Sequence, residues 1–274
     1  MSEIKEMLRR MGRAWGWIAG QFCGILLWVA LGLAWTRLPD KQGWQVAITI
    51  LVPVVLILCM LELQAGTMRA LANDDGRRVK LVWGALTLLV WAAVFWAAWA
   101  VLDWCDGRIP EWAGYLNSRF SAHARAQFFT YAHLLQWMTI AEWVVRWIIV
   151  PGKLIVYAVA SAQWGWRLPL RRMIRMLLSW RWWVAVVVAS LAGVALPGHF
   201  FAGLPTGTVS HQVWMVLFKL AGAYVLGVGC WVLLLAWCAV LLGWRAVPLT
   251  GVETALVGRD LPRGEAGGGT GGQA

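Results

Sequence analysis

Charge is scarce in this 274-residue chain, with Asp, Glu, Lys and Arg together making up 14% of it against 61% hydrophobic residues. A soluble domain carries roughly 25% charged residues, so a water-facing exterior cannot be built from this composition and a soluble globular fold is excluded. Catalytic and nucleotide-binding signatures are missing too. There is no GxxxxGK[ST], no GxGxxG after a strand, no HExxH, no CxxCH and no GxSxG, and no connector is long enough for a separate catalytic domain. The reading therefore leans away from an enzyme and names no cofactor. The five cysteines supply no CxxC pair. Cys23, Cys59, Cys230 and Cys238 fall in apolar stretches and Cys105 stands apart, which is the pattern of buried small hydrophobes. The four histidines, His123, His133, His199 and His211, match no metal-ligand spacing. An acid/base or metal site, if one formed, would join them to Asp103, Cys105, Asp106 and Glu111.

What the chain has in abundance is long apolar stretches. A helix needs roughly 20 apolar residues to cross about 30 Å of hydrocarbon. Six such stretches lie near 15–36, 44–63, 81–102, 127–150, 182–198 and 213–244. Barrel strands would show alternating segments of about 10 residues, and these runs are longer and continuous. The expected fold is all-α, a polytopic transmembrane helical bundle of about six spans. The charged start followed by an apolar run looks like a signal peptide, but the run ends in Leu33-Ala34-Trp35 rather than a small-residue cleavage site, so it reads as a retained first helix.

Basic residues are distributed unevenly. Seventeen of the 24 Lys and Arg fall before the first span, between spans two and three, between spans four and five, or after the last; five lie in the opposite connectors. By the positive-inside rule the protein is expected in the cell (inner) membrane with both termini cytoplasmic. Two of the basic entries are amphipathic: Ile4, Met7, Leu8, Met11 and Trp15 oppose Lys5, Arg9 and Arg13, and Leu170, Met173, Ile174 and Leu177 oppose Arg171, Arg172 and Arg175. Both are expected as basic interfacial helices, with membrane lipids, and anionic headgroups of the inner leaflet above all, as partners rather than nucleic acid. Their likeness suggests a duplication relating 4–63 to 170–240. The chain divides into a basic helix over 1–14, a membrane domain over 15–245 and a cytoplasmic tail over 246–274, disordered from about 258, where glycines leave nothing to bury.

Two spans are ambiguous. Pro151-Gly152 precedes a further apolar stretch, so 152–166 is re-entrant, interfacial, or part of a kinked span over about 138–161. The last span, at 1.5 Å per residue, would extend about 48 Å and must tilt, break or begin outside the bilayer.

Candidate functional residues follow from what is unusual inside apolar helices. Gly12, Gly16, Gly20 and Gly24 are spaced four apart and form a ridge for close helix packing, within the chain or with another copy or subunit; Gly222, Ala223, Gly227 and Gly229 make the last helix a mate. Glu142 and Arg146 form an i,i+4 pair inside span four, and Gln136 and Thr139 share their sector. Glu62 ends span two and is a candidate gate or proton site. Of 23 tryptophans, Trp15, Trp17, Trp35, Trp44, Trp83, Trp104, Trp180, Trp182, Trp183, Trp214 and Trp244 sit near span ends, as an aromatic belt expects. Trp28, Trp91, Trp96, Trp137, Trp143, Trp231 and Trp237 lie deeper, for helix packing or for a flat hydrophobic ligand. Three functions remain open at this point: a non-catalytic membrane subunit or scaffold, a transporter or permease component with a Glu/Arg polar path, and a membrane enzyme acting on a lipid or quinone.

Overall fold

The computed structural model of the chain describes residues 2–37, 42–72, 81–201 and 208–242. The expected tail over 246–274, the end of the last span at 243–244 and the basic residues Arg77, Arg78, Lys80, Arg245, Arg259 and Arg263 lie outside the described residues.

Six apolar helices are long enough to cross a membrane, and no strand occurs among the described residues. Amphipathic α1 (Ser2–Arg13) leads through a turn at Ala14 into α2 (Trp15–Trp35), the first span. The second and third are α3 (Gly43–Ala72) and α4 (Leu81–Asp106). Two short helices, α5 (Ile109–Arg119) and α6 (Ala122–Gln127), then cap the bundle end opposite α1. Neither was expected from apolar periodicity, although Pro110 and Glu111 in the first turn of α5 are ordinary helix-start chemistry.

Span four is one continuous helix over Tyr131–Trp164: α7 (Tyr131–Val144), a π-helical turn π1 (Val145–Ile149) and α8 (Val150–Trp164). The helix runs on past the expected end at 150, as the kinked-span alternative allows, and residues 152–164 pack into the bundle, with Ile155, Val156, Val159, Ala160 and Ala162 all buried. The proline does not stop the helix, because a widened turn and a neighbouring side chain take up the bonding it disrupts. Gly165, at φ 59°, ends α8 in a backbone conformation open to glycine. The basic amphipathic α9 (Leu170–Leu177) follows, then span five as α10 (Trp180–Ser190), π2 (Leu191–Ala195) and α11 (Leu196–Phe201), then α12 (Val209–Leu241).

The core lies toward one end. Ala65–Ala72 of α3, Ile155–Gln163 of α8, Met173 and Met176 of α9, and Val228–Leu242 at the end of α12 hold most of the buried residues. At the other end the helices are bare: Val209, Val213, Trp214, Phe218 and Leu220 of α12 and Trp44, Ile50, Leu51 and Val54 of α3 are exposed apolar residues.

The packed end carries both amphipathic helices. Each turns methionines inward, Met7 and Met11 from α1 and Met173 and Met176 from α9, while Ile4, Leu8, Leu170 and Ile174 stay exposed beside the arginines. Glu3 of α1 pairs with Arg181 at the start of α10 at 2.9 Å, which fixes the two helices at the same end. Two residues expected in basic connectors sit elsewhere: Arg69 is buried within α3, and Lys153 is exposed within α8.

Candidate functional site: an aromatic cleft and the polar groups around it

The local device that shapes the middle of the bundle is a pair of prolines. Pro151 has no N–H, so the carbonyl of Trp147, four residues earlier, loses its α-helical donor. The backbone opens into π1, where the Val150 N–H reaches Val145. The Ser190 hydroxyl then donates to the Trp147 carbonyl at 2.6 Å. Pro197 stands in the same relation to Gly193, and the chain there opens into π2, with the Leu196 N–H on Leu191. π1 packs against α10 immediately before π2, so the two widened turns are neighbours. Such turns recur at functional sites because they re-aim the side chains that follow.

Beside them is a half-open cavity of about 460 Å³ lined from five of the six spans. Its walls are almost wholly apolar and rich in indole: Trp91 and Trp99 from α4, Trp147 from π1 and Trp231 from α12. Each ring is held. Trp91 stacks on Tyr157 with centroids 4.8 Å apart and donates to the Ser161 hydroxyl at 2.6 Å. Trp99 meets Trp147 edge to face at 4.9 Å. The Trp231 N–H donates to the Gln64 Oε1 at 3.1 Å. An indole nitrogen only donates, so this bond fixes which way the Gln64 amide faces. Its NH2 makes no hydrogen bond among the described residues, and Gln64 is part of the cleft lining.

A charged cluster borders the cleft. Arg146 pairs with Glu142, as the i,i+4 spacing predicted, and also with Asp103 of α4 at 2.6 Å. Its guanidinium lies 5.0 Å from the centroid of Trp99, a wall of the cleft. Two carboxylates against one guanidinium give the cluster a net charge of −1. Asp103 was not expected as a member, because its contact depends on α4 packing beside span four rather than on sequence spacing.

The other polar candidates do not join this group. Gln136 and Thr139 are exposed, and the Thr139 hydroxyl bonds its own helix at Leu135. Glu62 is exposed on α3 and does not line the cleft; Gln64, two residues on, does. His123, His133, His199 and His211 are all exposed, and among the described residues no three His, Cys, Asp or Glu side chains come together to hold a metal ion.

The glycine ridge divides. Leu63 of α3 packs over Gly20 and Gly24, whereas a Cβ at Gly12 or Gly16 would meet nothing within 4 Å. The tightest glycine contact was not foreseen: the Trp17 ring lies directly on Gly66 of α3. Gly227 faces the Gly193 carbonyl of π2, so the main glycine contact of α12 is with span five.

The tryptophans also sort differently. Trp91 and Trp231 line the cleft as deep residues should, but Trp96 and Trp137 are exposed on the outer faces of their helices. Trp182 is not a belt residue: it is fully buried and donates to the Gly152 carbonyl at 3.0 Å.

Most remaining buried polar groups tie one helix to another's backbone. Arg10 reaches the Ala239 carbonyl at 3.3 Å, Arg69 the Ala162 carbonyl at 2.8 Å, and Tyr224 the Phe22 carbonyl. Thr67 joins Gln21 at 3.2 Å. At α1, outside the spans, a hydrogen bond from Arg10, aided by Arg9, holds the Glu6 carboxyl below its ordinary value against a smaller opposing effect of burial. Comparison of the chain with protein-family models, curated proteins and solved structures finds no match to any of them.

Proposed function

We propose that the protein is a non-catalytic subunit or scaffold of a cell membrane, seated with its amphipathic end on the anionic cytoplasmic leaflet. One observation carries this reading: several of the buried polar side chains bind helix to helix through backbone carbonyls, as Arg10, Arg69, Trp182 and Ser190 do. A conducting path needs polar groups that face a shared passage. Here Gln136, Thr139 and Glu62 are exposed and none lines the central cleft, which is apolar. The bare apolar halves of α3 and α12 and the uncovered Gly12 and Gly16 further suit a protein that packs beside others.

Native mass spectrometry of the protein extracted in mild detergent tests the proposal. The expected result is a stoichiometric second copy or sister subunit; a monomer that co-purifies with no protein overturns it. Replacing Glu142 and Arg146 together by Gln and Met separates the transport alternative, since a scaffold keeps its assembly and a transporter loses flux.

A further inference from the structure

The central cleft is a feature that the subunit reading does not use. We propose that it binds an uncharged isoprenoid quinone, with the flat ring among the tryptophans and a ring carbonyl accepting from the Gln64 amide.

Three properties of the cleft select this class. Its volume of about 460 Å³ falls in the range of roughly 300–1,000 Å³ typical of small-molecule sites. Four tryptophans and Phe95 are among its lining residues, and aromatic rings can hold a flat ring by offset or edge-to-face stacking. Its polar content is small and specific. The Gln64 oxygen already accepts from Trp231 and its NH2 has no acceptor among the described residues, while the Ser190 oxygen, its proton given to Trp147, can only accept. A ligand that satisfies the amide brings a hydrogen-bond acceptor on an otherwise apolar body. A carbonyl on a ring meets that demand.

Charge narrows the choice further. An acidic lipid would look to Arg146, whose guanidinium lies against the cleft-lining Trp99, but Arg146 is held between Glu142 and Asp103. With both carboxylates on that one guanidinium, no unmatched positive charge is left there for an anionic head. Fatty acids and anionic phospholipids are thus disfavoured, and a neutral head is admitted.

The test uses the full chain in detergent and a decyl-tailed benzoquinone as the probe, read by quenching of tryptophan fluorescence. Ala92 lines the half-open cleft and is exposed there, so Ala92→Trp fills the space without displacing packed core. The parent protein is expected to quench saturably. Ala92→Trp should weaken binding at least roughly tenfold, and Gln64→Leu roughly tenfold, the loss of one ligand hydrogen bond. A long-tailed quinone should displace the probe, and a fatty-acid anion should not. The proposal is overturned if the parent shows no saturable quenching, if Ala92→Trp binds like the parent, or if the fatty-acid anion competes as well as the quinone. Should Gln64→Leu fail to fold, Ala92→Trp and the competition decide. A lone monomer that binds the probe defeats the subunit reading and leaves this one standing.

Discussion

Arg10 and Arg69 look, in sequence, like two more of the basic residues that flank a span; in the fold both are buried and each grips a carbonyl on another helix. Gly84 is tied to the same arrangement, because a Cβ there would stand 3.0 Å from the Ala162 carbonyl. Among the described residues Trp182 is the largest fully buried side chain. Trp182→Ala should cost about 3–5 kcal/mol, while Trp182→Phe, which mainly loses the bond to Gly152, should cost about 1 kcal/mol. Unfolding by steric trapping in bicelles would measure both. Glu6 makes a pH prediction. Its carboxyl is lowered in the folded protein by the Arg10 hydrogen bond, so the unfolded chain takes up the proton first. The stabilisation is then present above the ordinary carboxylate value and is lost as pH falls through the lowered one. A plot of thermal midpoint against pH should drop in that acid range for the parent and drop less for Glu6→Gln. At this scale sequence spacing reveals local pairs such as Glu142 and Arg146. Asp103, Gln64 and the carbonyl partners are hidden because tertiary packing alone brings them near.

Spans four and five each break their regular pitch in a turn that ends two residues before a proline, over Val145–Ile149 and Leu191–Ala195. Pro151 is visible in the sequence and suggests a stop or a kink. That the helix continues depends on Ser190, 43 residues away, which bonds the carbonyl that the proline leaves short. Pro151→Ala should return an amide donor to Trp147 and make Ser190 redundant. A double-mutant cycle checks this: Ser190→Ala should cost about 1 kcal/mol in the parent and close to nothing in the Pro151→Ala background. Equal costs in both would show that the two residues act independently. The spans themselves were legible because twenty apolar residues leave few alternatives. Their facing was not, because a helix apolar on all sides has no preferred face in sequence, and Trp96 and Trp99 differ only by how α4 is turned. The short α5 and α6 escaped notice because neither is long or apolar enough to stand out.

Among the described residues, most of the buried contacts and most of the exposed arginines lie at one end, while at the other the ends of α3 and α12 are bare and apolar. Anionic headgroups are worth about 1 kcal/mol per basic residue at a surface, so Arg171, Arg172 and Arg175, all exposed on α9, should help to set orientation. A single cysteine at Leu178 in a cysteine-free background should be labelled only from the cytoplasmic side. Arg171→Glu, Arg172→Glu and Arg175→Glu together should produce a mixed population labelled from both sides. Labelling of Leu178 from outside in the parent would reverse the proposed orientation. The bond between Arg10 and Ala239 spans 229 residues of chain. A ribosome adding 5–20 residues per second takes roughly 10 to 45 s to cover that distance. During that interval the Arg10 guanidinium has its partner Glu6 in the leading helix but not its receptor on α12, so the first segment made is among the last to be locked into the bundle.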